Sequence, residues 1–359
     1  MGWVDAFQEA TARTIPATLV RQPRREGASF TADELNLPER MDGDGPLVSV
    51  VTPTYGDSHF LPDALESIGA QTHRNLELLI VDASGVEWVE QLADDREWIR
   101  YLLQDSVGIS AARNDAIEAA AGEFVALLDA DDYWHPEKLE RQLAALDNGK
   151  QLSYCATYVI DLVDEGSVWC RDLNQPSEAV LDRVNGTITA QPSTLVLRRD
   201  RFSHRPFDET LDACEDFLFL IEAFAEEPPA HVPDLLCVYR NRGDSITADT
   251  NRMYAGKRKA IDRVRAQYPE LSESLDRCLA KKEYGIGRRR LEANDRRSAR
   301  GHLWACLRSN PSNYKAWALL LASLVPAHGA RSVRAFQTVH DKVHGKRGQS
   351  RPTAMVLES

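Results

Sequence analysis

Lysine is missing from the first 137 residues of this 359-residue chain, and arginine supplies most of its positive charge. Also missing is the basic excess that a phosphate-tracking surface needs. Lys and Arg total 43 against 55 Asp and Glu, a net charge of −12, which argues against nucleic-acid binding as the main task. An acidic, lysine-poor surface stays hydrated in concentrated salt, as a halophilic source would require. An arginine-biased, GC-rich genome accounts for the same composition, and the two explanations stand level.

Closely spaced cysteines are lacking too. Cys155, Cys170, Cys214, Cys237, Cys278 and Cys306 contain no Cys-x-x-Cys pair, which reads as reduced, mostly buried thiols rather than a disulfide frame or a zinc site. The longest apolar run, Trp317 to Val325, is too short to span a bilayer. The first thirty positions carry Asp5, Glu9, Arg13 and Arg21 without the apolar stretch of a signal peptide. The expectation is a protein made and kept in the cytoplasm. Its 43% hydrophobic and 27% charged residues are those of a globular chain, long enough for one large domain and an appendage.

Residues 1–45 show weak periodicity and read as an N-terminal extension with one helix at most. From Leu47 the pattern sharpens. Apolar runs at Leu47–Thr52, Leu76–Val81, Trp98–Leu103 and Phe124–Leu128 predict strands. Between them lie a helix with Phe60, Leu61, Ala64, Leu65 and Ile68 on one face, and a second helix, Ile109–Ala121, with Gly122 as its stop. Pro136 is expected to open a further helix reaching about Asp147. Such alternation predicts an α/β fold with a parallel, right-handed sheet covered by helices on both faces. The rest of a catalytic domain over 46–250 is less regular, with short runs at Leu152–Ile160, Thr194–Leu197 and Leu235–Tyr239 around a helix at Glu215–Ala225. A C-terminal helical region, 251–340, follows. Within it, Tyr284–Ala316 resembles one helix-turn-helix unit of the tetratricopeptide kind, which cannot bury its own face alone. Residues 341–359 read as a disordered basic tail.

Ligands of an open parallel sheet bind beyond the carboxyl ends of its strands. Three polar clusters stand there: Thr52-Pro53-Thr54-Tyr55, Asp82-Ala83-Ser84-Gly85 and Asp129-Ala130-Asp131-Asp132. Three carboxylates within four residues repel one another unless a cation lies among them, and hard oxygen ligands suit Mg²⁺ or Mn²⁺ held jointly with substrate phosphates. A solvated acidic turn, with Asp132 aiding the next helix start, fits the same residues. Asp82 is placed to accept hydrogen bonds from a nucleobase or ribose, or simply to shape an Asx turn. Arg113, one turn into a glycine-led helix, can meet an anion or pair with Glu118 or Asp115.

Taken together, residues 47–145 resemble the inverting family 2 glycosyltransferases of the GT-A fold. The matching runs are Val48–Tyr55, Leu65–Ile68 with Gln71, Asn75–Asp82, Gly108–Asn114, Gly122–Phe124 and Leu128–Asp132, in the family's order and spacing. The resemblance implies a Rossmann-like, mostly parallel sheet and transfer of a sugar from a UDP- or GDP-sugar donor to a carbohydrate or lipid-linked acceptor. It implies that Thr52, Pro53, Tyr55, Asp82 and Arg113 line base and ribose, that Asp129 touches ribose or diphosphate, and that Asp131 holds the metal. Ala83 stands where the family often has a second Asp. Further on, Cys214-Glu215-Asp216-Phe217 resembles the family's acidic pair at a helix start, with Asp216 as general base and Glu215 as its neighbour or an acceptor contact. Two acids stabilising a helix N-terminus would look the same. In Tyr239–Ser245, Arg242 occupies the place of the family's frequent His, which implies direct pairing with the diphosphate.

Other readings fit less well. A sugar nucleotidyltransferase needs a Gly-rich loop with following Arg and Lys after the first strand, which Thr52–Asp57 does not offer. In Asp129-Ala130-Asp131, a haloacid-dehalogenase-like phosphotransfer Asp would want Thr or Val soon after the second Asp, where Asp132-Tyr133-Trp134 stands. A nucleotide-sugar-binding scaffold without turnover has no need to keep Asp82, Arg113, Asp131 and Asp216 together. The apolar Trp317–Leu321, followed by Arg331, Arg334, Lys342, Lys346 and Arg347, suits peripheral contact with a membrane surface. A core helix packed on the catalytic domain, with a disordered tail, accounts for those residues slightly better.

Overall fold

The computed structural model describes residues 14–16, 28–55, 59–104, 108–163, 167–204, 206–324 and 356–358. The strands β1 (Val48–Thr54), β2 (Leu76–Asp82), β3 (Ile99–Leu103) and β4 (Phe124–Leu127) pair in parallel in the order 3-2-1-4. Neighbouring residues along a strand point to opposite faces. Val50, Leu78 and Ile80 accordingly join a core with Leu65 of α1 (Leu61–Gly69) and Leu92 of α2 (Glu87–Asp95). Val51, Leu79 and Val81 join another with Ala112, Ala116 and Ile117 of α3 (Ile109–Ala119). Both faces are covered, which is why these strands read as continuous apolar runs rather than alternating ones.

The mostly parallel sheet that the resemblance implies becomes mixed beyond this half. The strand β8 (Leu195–Arg198) runs antiparallel to both β4 and β6 (Leu152–Asp161), while β9 (Ala230–Asn241) runs parallel to β6. The two-residue β5 (Tyr133–Trp134) pairs antiparallel with β9, and β7 (Ser167–Arg171) hangs off β6. The sheet is mixed because β8 returns from the helix α5 (Ala179–Asn185) in reverse direction, a reversal that periodicity cannot reveal.

Two smaller expectations also change. Gly122 does not stop α3, which ends at Ala119 and continues in extended backbone at Ala120. Its reason is close approach instead: a Cβ there would lie 2.7 Å from the Leu47 carbonyl and the Ser49 nitrogen. Pro136 lies two residues ahead of α4 (Lys138–Leu146), not within it. The described part of the N-terminal extension packs into the domain, with Ala32, Leu35, Leu37 and Met41 buried in the first core. A helix before residue 28 falls outside the described residues. In the tail, Val356–Glu358 pairs in parallel with Thr14–Pro16, where Val356 and Leu357 interrupt its polar character; the rest of 341–359 lies outside the described residues.

After the one-turn α6 (Arg199–Phe202), the helix α7 (Glu215–Glu226) joins sheet and C-terminal region. Phe219 and Leu220 pack with the sheet, while Phe217, Leu218 and Ile221 pack with Ala260, Ile261 and Val264 of α8 (Thr250–Gln267). Each such side chain, fully buried, contributes about 1.5–3 kcal/mol. Then come α9 (Ser272–Glu292), α10 (Arg296–Ser309) and α11 (Tyr314–Leu324), which share a core of Leu291, Leu303, Cys306, Leu307, Ala316 and Leu319. Of the helical region expected over 251–340, the part beyond Leu324 lies outside the described residues.

Gly256 is where α8 meets the turn ahead of α7: a Cβ there would sit 2.4 Å from the Ala213 carbonyl oxygen. Gly256→Ala should push α8 off that turn and lower the unfolding free energy by about 1–3 kcal/mol. Gly301→Ala, in α10 with nothing within 4 Å, should be neutral or gain up to about 1 kcal/mol. Denaturant midpoints of the two variants test this; equal midpoints would remove the close-packing account.

Candidate active site

The site begins at the carboxyl ends of β1 and β2, where Thr54 lies in register with Asp82. Thr52 and Pro53 are buried within β1, and the Tyr55 ring beyond it is 73% exposed. Asp82 is wholly buried and shapes an Asx turn. One oxygen accepts from the Ser84 amide at 2.8 Å and the Ser84 hydroxyl at 2.6 Å, the other from the Val86 amide at 2.7 Å and the Tyr101 hydroxyl at 3.1 Å. Burial, and then the Asp82 charge, push the Tyr101 phenol up to about 12, so it stays a donor.

The acidic run is sorted by its partners. Asp132 is buried and does not serve the next helix; it accepts from the Ser193 hydroxyl at 2.5 Å and the Arg240 amide at 3.0 Å. Burial, reinforced by the Asp131 and Asp129 charges, raises its carboxyl well above the usual range. Asp131 meets Arg242 at 2.9 Å. The register of β5 on β9 explains the meeting: Tyr133 opposite Val238 brings Asp131 beside Arg240 and Arg242 across more than a hundred residues. The Arg240 guanidinium is buried between the Tyr133 and Phe60 rings, pairs with Asp63 of α1, and donates to the Asp131 carbonyl at 2.9 Å.

Asp129 meets Arg113, and through Arg113 the two halves of the site become one. Gly108, with φ +114, opens α3 in backbone that side chains disfavour. One turn on, Arg113 donates to Asp129 and to Glu215, each at 2.7 Å, from a buried position. Arg113 thus pairs not with its helix neighbours Asp115 or Glu118 but with carboxylates 16 and 102 residues away. Beside it, Asn114 clamps the loop before Glu215 through the Phe207 amide and carbonyl and the Glu209 carboxylate.

Glu215 and Asp216 open α7 after Cys214, whose φ of +63 is left-handed. Such backbone in a non-glycine residue costs roughly 1–3 kcal/mol and has to be held by its surroundings. Here Gly256 and the Met253 carbonyl, which accepts from the Cys214 thiol at 3.6 Å, lie against the turn. Burial outweighs Arg113 and raises Glu215 above its ordinary value. Asp216 is more exposed and pairs with Arg183 of α5 at 2.8 Å. Arg183 also donates to the Ala190 carbonyl at 2.9 Å.

The structure thus gathers Arg113, Asp129 and Glu215 into one contact group, Asp131 with Arg242 into a second, and Asp216 with Arg183 into a third. Thr52, Pro53, Tyr55 and Asp82 stand at the neighbouring strand ends. Arg183, Arg240, Asp63 and Ser193 escaped sequence reasoning. Asp63 left a signal, a carboxylate within the apolar face of α1; Arg183 left none, since only tertiary folding sets α5 beside α7. Among the described residues no three His, Cys, Asp or Glu side chains could hold a metal by themselves. The acidic run suits Mg²⁺ or Mn²⁺ in the manner of phosphate sites, with one carboxylate and the remaining ligands from diphosphate and water.

Residues 49–204 match the family described as glycosyl transferase family 2. Over 104 residues the chain is 39% identical to TuaG of Bacillus subtilis, named as a teichuronic acid biosynthesis glycosyltransferase, covering 27% of this chain and 41% of TuaG. The chain thus spans about two fifths of the length of curated relatives such as this one. Among solved structures, S. aureus TarS in complex with UDP-GlcNAc superposes with a TM-score of 0.54 at 18% identity, over 83% of this chain and 91% of that one. The mannosyltransferase PcManGT of Pyrobaculum calidifontis, in complex with GDP-Man and Mn²⁺, gives 0.52 at 17% identity, over 86% and 83%. At such identity these superpositions speak for the fold, a mixed sheet flanked by helices with a helical C-terminal region.

Arg113→Met would leave Asp129 and Glu215 without their shared counter-charge and should cost about 3–5 kcal/mol of stability, with Glu215→Gln in the same chain recovering part of it. In the parent protein the raised Glu215 makes its ionisation destabilising. The stability contributed by its protonated form is full below the ordinary glutamate value of about 4.3 and is lost as pH rises through the raised one. Glu215→Gln alone should therefore flatten the fall in unfolding midpoint above about pH 4.3. Unchanged stability in Arg113→Met would contradict the bridging role.

Proposed function

We propose that the protein transfers a sugar from a UDP- or GDP-sugar to a hydroxyl of a carbohydrate or lipid-linked acceptor, with inversion at the anomeric carbon; the match of residues 49–204 to glycosyl transferase family 2 supports this. The observation that carries this reading is the Arg113 bridge, which brings the acidic run after β4 and the Glu215-Asp216 pair into one site. The GT-A-like superposition on structures that hold UDP-GlcNAc or GDP-Man supports a nucleotide-sugar donor. The reaction is assigned to the cytoplasm, in keeping with the reduced thiols expected of the six scattered cysteines.

Asp216, the more exposed of the pair and oriented by Arg183, takes the proton of the acceptor hydroxyl. The acceptor oxygen forms its bond to the anomeric carbon on one face while the bond to the diphosphate oxygen breaks on the other, and the electron pair leaves with the nucleoside diphosphate. Glu215, locked to Arg113, positions Asp216 and contacts the acceptor. The exposed Tyr55 ring offers a stacking surface for the base, while Thr52, Pro53 and the turn built on Asp82 shape the nucleoside end. Asp129 faces the ribose or diphosphate. Asp131 would hold Mg²⁺ or Mn²⁺, which when bound neutralises charge developing on the diphosphate. Arg242, already beside Asp131, is placed to pair with the phosphates.

Asp216→Asn should bind donor nearly as the parent does while kcat falls by roughly 10²–10⁴-fold. Asp82→Ala should weaken donor binding before it touches kcat, and Asp131→Asn should lose divalent-dependent turnover without unfolding. Steady-state kinetics and donor titrations on the three variants check this. Lost donor binding in Asp216→Asn would move that residue to the nucleotide site.

A further inference from the structure

The helix pair α10–α11 turns an apolar stripe outward although its own core is already filled. On α11 the exposed positions are Tyr314, Trp317, Leu321 and Leu324, and on α10 Trp304 joins them; these five side chains are between 41% and 61% exposed. The spacing of three, four and three residues places the α11 members on one helical face. Trp304 and Trp317 meet edge to face at 6.0 Å, so the stripe is continuous across both helices. The Trp317 indole N–H donates to the Pro311 carbonyl at 3.0 Å, leaving the outer part of that ring apolar.

Charge on the same elements has one sign. Arg296, Arg297, Arg300, Arg308 and Lys315 lie between residues 296 and 324, and no Asp or Glu does. Arg297 and Arg308 are exposed on α10 in line with Trp304, at seven and four residues from it. Residues 296–359 hold eleven Lys and Arg against Asp341 and Glu358 alone, so the acidity of a chain of net charge −12 lies wholly ahead of residue 296.

We propose that this face docks on an anionic lipid surface, the aromatic and leucine stripe entering the headgroup region and the arginines flanking it meeting lipid phosphates. An apolar face with basic flanks is the chemistry that lies in an interface plane, and each Lys or Arg near an anionic surface adds about 1 kcal/mol. Pairing with a second copy through the same face is disfavoured, because a two-fold interface sets like patches together and would bring arginines against arginines. No helix among the described residues is long and apolar enough to cross a membrane, so contact would be peripheral. The expected apolar run Trp317–Leu321 is refined here, since Leu319 is buried in the helical core and Leu321 faces out.

The test uses the full chain and is independent of sugar transfer. At low salt the protein should sediment with vesicles of equal parts phosphatidylglycerol and phosphatidylcholine, but not with phosphatidylcholine alone. Trp317→Ser with Leu321→Ser should weaken that binding, and Arg297→Glu with Arg308→Glu should weaken it at least about tenfold. Leu173→Ser, at an exposed apolar position elsewhere, should leave it unchanged. Protein that stays in the supernatant, binds both vesicles alike, or ignores both double variants overturns the proposal. So does self-association without vesicles that the Trp317→Ser and Leu321→Ser pair abolishes, which would make a second copy the occupant.

Discussion

The guanidinium of Arg113 is the contact on which the site depends. It is buried, it touches carboxylates from two distant parts of the chain, and without it Glu215 would be a costly buried charge and the half-buried Asp129 would lose its ion pair. Arg242 pairs likewise with the half-buried Asp131, and Arg183 with the half-buried Asp216. Carboxylates that would otherwise repel one another at the edge of a sheet are thereby held close, ready for a ligand that carries its own charge. Their cost in desolvation is visible in the raised Glu215 and Asp132 carboxyls.

The C-terminal helices take part in this arrangement from behind. By packing Gly256 against Ala213, α8 braces the left-handed Cys214 turn from which Glu215 and Asp216 project. A strained turn of this kind persists only where neighbours over-determine it. The helices beyond α8 are then relieved of that task, and their outward face differs in charge from everything before residue 296.

Much of the first half was legible because two-sided burial leaves unbroken apolar strands and the polar clusters stand at their ends. Phe124–Leu128 and the acids after it were readable as strand and site together. The second half was harder. The reversal of β8 and the two-residue β5 leave no periodic trace, yet β5 is what brings Asp131 to Arg242. The candidate acids, and Arg113 and Arg242 with them, were identifiable through the family resemblance, but not which arginine pairs with which acid, since a pairing across 102 residues is set by tertiary packing. Asp82 shows both sides: its place at the strand end was evident, while its two oxygens already serve the turn.

The account's central claim, a donor site in which Asp131 shares a divalent ion with a nucleoside diphosphate, is tested most directly by calorimetric titration of UDP and GDP into the full-length protein, with Mn²⁺ and again with the metal chelated. The account predicts that one nucleotide binds with Mn²⁺ and loses at least about tenfold in affinity without it, a difference of about 1.4 kcal/mol. Equal affinity in both conditions, or no binding of either nucleotide, would contradict it.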